Sequence, residues 1–194
     1  MMVKEKSSET RQRIIEAAFK LFYSQGYYST TMDQVIAASG VSKPTVYTYF
    51  PSKENLCVEY LKEMHKRQID SLEEALSRAE TPRQRYMAIV LWIRESLIAT
   101  DFRGCGFFNM ISEIPDPGNP IIQVAKGFID AFRKRIKQIV EELQNSDEKY
   151  QHLNLQRIAD TYYLIINGAI MGCQEYRETW PSDRAVEEIQ RLIE

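Results

Sequence analysis

The segment from Ser42 to Phe50 concentrates side chains that could contact a nucleic acid. At about 100° per residue on a helix, Val46 and Phe50 fall on one side. The opposite side and its flank carry small or hydroxyl-bearing residues: Pro44, Thr45, Tyr47, Thr48 and Tyr49. Hydroxyl groups on an exposed helix face can reach base edges and phosphate oxygens in a DNA groove. The alternative is that this polar face is only solvated.

A turn at Gly40 joins this short helix to the helix before it. Thr31, with Gln34 three residues later, predicts a capping box at the start of the earlier helix. Ser42 is predicted to cap the later helix, and Pro44 then lies in its first turn, where a missing N–H has no cost. Two short helices joined by a tight turn that contains Gly are typical of a helix-turn-helix. The pattern indicates DNA binding through the second helix.

The distribution of charge gives modest support to nucleic-acid binding. The whole chain has 25 basic and 27 acidic residues, which gives a formal net charge of −2. Residues 1–53 nevertheless contain seven basic residues and four acidic ones. A positively charged end is expected to lie against phosphate. Because the excess is small, specific contacts and helix N-termini have to supply much of the positioning.

Few other residues have a spacing suited to chemistry. Cys105 lies between two glycines and next to Arg103, a setting that favours a reactive thiolate. Two interpretations stay open: a redox or electrophile sensor, or a small apolar residue in a turn. His65 and His152 are far from Cys105 in sequence, so no catalytic base is indicated and we do not expect an enzyme. Two histidines also indicate no metal site, and no cofactor is expected.

Apolar residues recur at helical spacing along the whole chain, and strand signals are almost absent, which predicts an all-α fold of about nine helices. The expected helices cover about residues 8–25, 31–39, 42–50, 52–79, 81–99, 107–112, 119–144, 154–179 and 181–194. A length of 194 residues suits one domain, or one with a small appendage. Three cysteines, an odd number, argue against a disulfide framework and predict a reducing, cytoplasmic setting. The most apolar stretch, residues 162–173, is too short to cross a bilayer, which takes ~20 residues.

Two motifs closely resemble the DNA-binding domain of the TetR (tetracycline repressor-like) family. They read GYYSTTMDQVIA from residue 26 and GVSKPTVYTYFPSKENL from residue 40. The resemblance implies a DNA-binding transcriptional regulator, usually a repressor, with a helix-turn-helix domain over residues 1–55. A long helix would join it to a helical ligand-binding and dimerisation domain over residues 56–194. The DNA contacts implied by the resemblance are Thr31, Met32, Ser42, Lys43, Pro44, Thr45, Tyr47, Thr48, Tyr49 and Lys53. Tyr49 and Pro51 depart from common members, so no operator sequence is implied.

The resemblance further implies a homodimer on a (pseudo)palindromic double-stranded DNA operator, with a small-molecule effector and no membrane. Frequent aromatic residues in the second domain predict a largely apolar pocket lined by Trp92, Phe107, Phe108, Phe128, Phe132, Tyr162 and Tyr163. Its candidate polar anchors are Arg94, Asn109, Glu113 and Gln174. The predicted dimer interface comprises Ile165, Ala169, Ile170, Gly172, Ile189 and Ile193. In both sets the alternative is packing within one chain. We therefore predict a repressor that a small, largely apolar molecule releases from its operator, with sensing through Cys105 as the alternative.

Overall fold

The computed structural model describes the backbone of residues 2–194 and the side chains of residues 7–194. Within this range the chain forms nine α-helices and one short 3-10 helix, Glu148–Tyr150, and no strand. The helices are α1 (Met2–Gln25), α2 (Met32–Ser39), α3 (Lys43–Tyr49), α4 (Lys53–Ser77), α5 (Pro82–Ala99), α6 (Gly106–Glu113), α7 (Pro120–Gln144), α8 (Leu155–Tyr176) and α9 (Trp180–Arg191). The prediction of an all-α fold is confirmed. Lys4 and Lys6, counted above among the basic residues, lie outside the described side chains.

Capping residues explain why several helix boundaries could be predicted. The Thr81 hydroxyl accepts a hydrogen bond from the Gln84 N–H at 3.2 Å, and the Gln84 side chain accepts one from the Thr81 N–H at 3.0 Å. This capping box begins α5 at Pro82, as expected. At the start of α7, the Asn119 side chain accepts a hydrogen bond from the Ile121 N–H at 2.9 Å. Both helices therefore begin where the sequence predicts.

Three helix ends differ from the prediction by three residues or more, and one of them is the end of α9, at Arg191 rather than residue 194. The first helix begins at Met2 rather than near residue 8, because Met, Lys and Glu in this segment favour helix even without a capping signal. The eighth helix ends at Tyr176 rather than near residue 179. There Arg177 adopts the left-handed conformation with φ of 58°, and its N–H donates to the Cys173 carbonyl at 3.0 Å. The left-handed residue closes the helix three residues early.

Contacts between Cα atoms divide the chain into two units. The first unit comprises Met1–Arg67 and Gly106–Gly127, and the second comprises Gln68–Cys105 and Phe128–Glu194. The predicted boundary between residues 55 and 56 separates two expected functions, and the contacts between Cα atoms do not test it. They place residues 56–67 and 106–127 in the same unit as the predicted helix-turn-helix.

The first unit is built around an apolar core to which α1, α2, α3 and α4 each contribute. Phe22, Val35, Val46 and Leu56 have no exposed surface. Removing such side chains from water is the main favourable term for forming the unit. This core fixes one face of α3 and leaves the opposite face outward.

The second unit contains a buried pair of tyrosines. The Tyr162 hydroxyl donates to the Tyr86 carbonyl at 2.7 Å and accepts from the Val90 N–H at 3.1 Å, so it bridges two backbone groups one turn apart in α5. The Tyr86 hydroxyl donates to the Ile189 carbonyl at 2.9 Å. Burial raises the pKa of both phenols. The two hydroxyls tie α5 to α8 and α9.

None of the helices that the structure describes is both long enough and apolar enough to span a bilayer.

Candidate nucleic-acid interface

The N-terminus of α2 is fixed by a capping box. The Thr31 hydroxyl accepts from the Gln34 N–H at 3.2 Å, and the Gln34 side chain accepts from the Thr31 N–H at 2.7 Å. Thr31 is exposed and Met32 is half-buried. Because these interactions satisfy backbone groups at the first turn, they hold the two residues at a defined helix end.

The turn after α2 depends on Gly40, which has φ of 62° and donates its N–H to the Ile36 carbonyl at 3.1 Å. A left-handed conformation is unfavourable for residues with a Cβ, so glycine suits this point. Arg13 of α1 donates to the Ser39 carbonyl at 2.8 Å, which holds the turn from a second side. The turn therefore sets the direction in which α3 leaves α2.

The exposure pattern of α3 follows the predicted faces. Val46 has no exposed surface, and Phe50, directly after the helix, is only 2% exposed. Outward residues comprise the exposed Ser42, Lys43, Pro44, Tyr47 and Thr48 and the half-buried Thr45 and Tyr49. The structure thus brings the predicted DNA contacts of this segment onto one outward surface of a helix that is anchored from behind.

Hydrogen bonds organise this outward surface. The Thr45 and Ser42 hydroxyls lie 2.8 Å apart, and the Thr48 hydroxyl donates to the Pro44 carbonyl at 2.9 Å. Ser42 occupies the N-cap position of α3, but its side chain makes no hydrogen bond to the backbone there. The prediction that the Ser42 side chain caps α3 is therefore wrong. The Ser42 hydroxyl is hydrogen-bonded to the Thr45 hydroxyl instead.

Two residues of α3 also contact other helices. The Lys43 ammonium lies 3.0 Å from the Asp33 carboxylate of α2, and this hydrogen bond raises the pKa of the lysine. Both side chains are largely exposed. The Tyr49 hydroxyl lies 2.8 Å from the Ser7 hydroxyl and donates to the Ser7 carbonyl at 3.1 Å. These contacts tie α3 to α2 and to the beginning of α1.

Lys53, at the start of α4, is predicted to bind phosphate. Its side chain is half-buried and hydrogen-bonded within the chain. Its ammonium donates to the Tyr27 and Thr30 carbonyls, both at 3.0 Å. It also lies 4.2 Å from the centroid of the Tyr27 ring. An ammonium has three N–H donors, so one is left after these two bonds. Phosphate binding by Lys53 stays a prediction, and holding the loop before α2 is an additional role.

Comparisons with known proteins support what this geometry indicates. The sequence model of the family described as bacterial regulatory proteins, tetR family, matches residues 14–60, which span the second half of α1, α2, α3 and the start of α4. Residues 14–60 therefore match the DNA-binding part of the TetR family. The HTH-type transcriptional regulator LmrA of Bacillus subtilis is 44% identical over 57 residues, which cover 29% of this chain and 30% of LmrA. The regulator YhgD of the same bacterium is 38% identical over 88 residues, which cover 43% and 46% of the two chains.

The curated relatives thus match this chain over less than half of their own length. A solved TetR-family transcriptional regulator from Streptomyces coelicolor superimposes on 96% of this chain and 95% of its own, with a TM-score of 0.86 and 20% sequence identity. That likeness shows that the whole chain, and not only its first quarter, has the fold of a TetR-family regulator.

The predicted pocket residues fall into both units. Phe107 and Phe108 belong to the first unit, where Phe107 is fully buried. The other residues lie in the second unit: Trp92, Phe128, Phe132, Tyr162 and Tyr163. Among them, the Trp92 and Phe132 ring centroids are 6.5 Å apart and those of Phe128 and Phe132 are 6.1 Å apart. The Tyr162 hydroxyl instead forms hydrogen bonds with two backbone groups of α5.

The candidate anchors Arg94, Glu113 and Gln174 contact other parts of the chain. Arg94 forms a 2.6 Å ion pair with Asp183, which lowers the pKa of that carboxyl. Glu113 accepts the Tyr28 N–H at 2.9 Å. Gln174 lies against Gly104. These interactions give the three side chains structural roles that the sequence did not indicate.

The predicted interface residues are mostly packed within the chain. Ala169, Ile170, Ile189 and Ile193 are buried, while Ile165 and Gly172 are half-buried. A Cβ added to Gly172 would lie 2.9 Å from Pro181, so this glycine allows close packing of α8 on α9.

The exposed apolar surface of α8 lies elsewhere. Leu164 and Met171 are 66% and 69% exposed, and Gly168 between them is also exposed. Their seven-residue spacing, on the helix face away from Tyr162 and Ile166, is the signal that sequence reasoning missed.

Cys105 is half-buried at the end of a strained loop. Asp101 and Phe102 have positive φ angles of 49° and 54°, and Gly104 has φ of 81°. Consecutive residues with a Cβ in this region are uncommon. Cys57 and Cys173 are buried.

Proposed function

We propose that this chain is a transcriptional regulator that binds operator DNA through α3 and the N-terminus of α2. The observation that carries the proposal is the outward, hydroxyl-bearing surface of α3, which is held by buried Val46 and Phe50 behind it. In this proposal Thr45 and Thr48 face base edges, while Tyr47 and Lys53 bind phosphate. The capped N-terminus of α2, at Thr31 and Met32, contributes oriented N–H groups that suit a phosphate.

We propose that the regulator acts as a homodimer on a (pseudo)palindromic operator. Two identical helix-turn-helix units read two half-sites when a two-fold axis places their recognition helices about 34–36 Å apart, or a multiple of that distance. The exposed stripe of Leu164, Gly168 and Met171 on α8 supports an interface on that helix. Apolar surface of this kind gains free energy when a second copy covers it.

The experiment that tests DNA binding is selection of bound sequences from a randomised DNA pool, followed by titration of the selected site. We expect a palindromic site bound by two chains. Thr45→Ala should change the preferred base at one position of each half-site, because a base contact carries sequence information. Tyr47→Phe should weaken binding to all sequences alike, because a phosphate contact does not. Failure of the unmodified protein to enrich any site would contradict the proposed function.

We propose that the effector is a small, largely apolar molecule bound near the Trp92, Phe128 and Phe132 rings. Aromatic rings with few charges favour apolar ligands. Trp92 offers a direct readout, since it is one of two tryptophans and is 9% exposed. The other, Trp180, is 52% exposed. In a Trp180→Phe variant, an apolar effector should change the fluorescence of Trp92 and release the operator over the same concentration range.

We propose that α4 transmits the effector signal. Its 25 residues, Lys53–Ser77, span about 38 Å as one continuous helix. A tilt of α4 would change the separation of the two α3 helices, so that they no longer fit successive half-sites. The coupling between effector and operator would amount to ~1–3 kcal/mol. An effector-bound structure with unchanged α3 separation would argue for coupling through mobility instead.

A further inference from the structure

The loop that leads into α2, residues 26–31, is shaped by its own backbone and side chains. Gly26 has φ of 87° and donates its N–H to the Phe22 carbonyl at 3.0 Å, which ends α1. The buried Thr30 hydroxyl donates to the Gly26 carbonyl at 2.7 Å. Thr31 then caps α2. The position of the α2 N-terminus therefore depends directly on the conformation of this loop.

Two charged side chains from distant parts of the sequence hold the same loop. Lys53 donates to two of its carbonyls, at Tyr27 and Thr30. Glu113, the last residue of α6, accepts the Tyr28 N–H at 2.9 Å. The Lys53 ammonium donates to two carbonyls of the loop, whereas the Glu113 carboxylate accepts from one of its N–H groups. The two side chains therefore hold different backbone groups of the loop. Hydrogen bonds to charged groups are among the stronger ones in proteins.

The contact of Glu113 with the loop is close as well as polar. A Cβ built on Gly26 would overlap the Glu113 Oε1 atom and lie 2.9 Å from the Glu113 Cδ atom. Gly26 suits its positive φ, and its lack of a Cβ leaves the space that the carboxylate occupies. All of these residues belong to the first unit. Glu113 therefore contacts the loop backbone at two points, at Gly26 and at the Tyr28 N–H.

From these contacts we infer that Glu113 is a positioning residue for DNA binding. It acts through the Tyr28 N–H on the loop that sets Thr31 and Met32, and it makes the C-terminus of α6 part of the DNA-binding unit. A displacement of α6 that withdrew the carboxylate would loosen the start of α2 without any tilt of α4. This inference rests on the proposed function, since it concerns how the proposed DNA contacts are held.

A purely structural role for Glu113 predicts different behaviour. If the carboxylate only stabilised the unit, its loss would lower the thermal midpoint and speed amide exchange throughout the first unit. A positioning role predicts a local effect, confined to the loop and the first turn of α2. It also predicts that a side chain with a carbonyl oxygen at the same place restores the exchange rate and the affinity of the unmodified protein.

The test compares Glu113→Ala, Glu113→Gln and a matched control, Glu95→Ala, in the full chain. Glu95 is an exposed glutamate on α5. Hydrogen–deuterium exchange of peptides covering residues 26–34 reads the loop directly and needs no DNA. Titration of the selected operator reads the consequence for binding, and the thermal midpoint reads global stability. Glu113→Gln keeps an acceptor for the Tyr28 N–H.

We expect Glu113→Ala to speed exchange in residues 26–34 and to weaken operator binding about threefold to tenfold, as the loss of one such hydrogen bond suggests. Exchange in α8 and α9 should not change. Glu113→Gln should retain most of the affinity, and Glu95→Ala should match the unmodified protein.

Three results would overturn the inference. The first is an unchanged operator affinity of Glu113→Ala while the unmodified protein binds well, which leaves the proposed function intact. The second is exchange that rises uniformly through the first unit together with a lower thermal midpoint, which indicates a structural role only. The third is failure of the unmodified protein to bind any site, which overturns the proposed function and this inference with it.

Discussion

Lys43 and Asp33 form an ion pair whose partners are largely exposed, with 3.0 Å between the ammonium and the carboxylate. Exposed pairs of this kind add little to stability. Their charges can still affect DNA strongly, because each phosphate neutralised by a lysine releases counterions. We therefore expect the pair to contribute little to the free energy of unfolding and to have a large effect on DNA affinity.

We predict opposite effects from neutralising the two partners. Lys43→Gln should weaken binding to every DNA sequence and reduce the slope of log K against log salt by ~0.9. Asp33→Asn should strengthen binding, because it removes a negative charge and leaves the Lys43 ammonium to phosphate. Titrations at several salt concentrations measure both effects. A Lys43→Gln variant with an unchanged salt slope would mean that Lys43 does not reach phosphate.

Tyr162 gives a residue-scale prediction about stability. Tyr162→Phe would leave the Tyr86 carbonyl and the Val90 N–H without the hydroxyl that bridges them. Losing a hydrogen bond at a buried site costs ~1–3 kcal/mol. Tyr163→Phe is the matched control, since Tyr163 is the half-buried neighbour on the same helix. Urea unfolding should show the first variant clearly less stable, and equal stabilities would contradict the bridging role.

At the scale of elements, two helices begin with the same capping box. Thr31 and Gln34 cap α2, and Thr81 and Gln84 cap α5. The two threonines thus take part in the same pair of capping hydrogen bonds in different units. Their comparison separates the effect of a helix cap on stability from its effect on function.

We predict that Thr31→Ala and Thr81→Ala each cost ~1 kcal/mol of stability, the usual value for an N-cap. Only Thr31→Ala should weaken operator binding, because only α2 presents its N-terminus to DNA in the proposed complex. Thermal unfolding and operator titration of both variants provide the measurements. Similar losses of affinity in the two variants would indicate a general effect of destabilisation.

The elements of this fold were largely predictable because capping and turn residues act locally. Thr31, Gly40 and Thr81 each specify a helix end through hydrogen bonds to residues four or fewer positions away. The site was less predictable, since its arrangement depends on distant residues. Lys53 binds loop carbonyls more than 20 positions earlier in the chain, and helical periodicity contains no information about such partners.

At the scale of the whole molecule, the burial of α8 revises which residues could form a dimer. Periodicity identified Ile170 and Ile189 as apolar, but it could not distinguish packing within a chain from packing between chains. Both side chains are buried in the single chain. The large apolar residues of this helix that remain exposed to a second copy are Leu164, Met171 and Tyr176.

We therefore predict that Leu164→Glu combined with Met171→Glu converts the protein to a monomer. Two carboxylates on a covered apolar face would have to be desolvated, which is unfavourable. The control is Leu91→Glu on α5, a leucine that is 42% exposed. Light scattering should give the mass of two chains for the control and of one chain for the double variant. A double variant that stays dimeric would place the interface elsewhere.

The buried tyrosines of the second unit have a consequence for alkaline conditions. An unfolded phenol ionises near pH 10, whereas burial raises the pKa of Tyr86 and Tyr162 in the folded chain. The folded state therefore keeps protons that the unfolded state loses, and stability must fall as the pH rises above about 10. Phenolate absorbs in the ultraviolet where phenol does not, so ionisation of these two tyrosines should accompany unfolding. Alkaline titration followed by absorbance would then report the opening of α5 from α8.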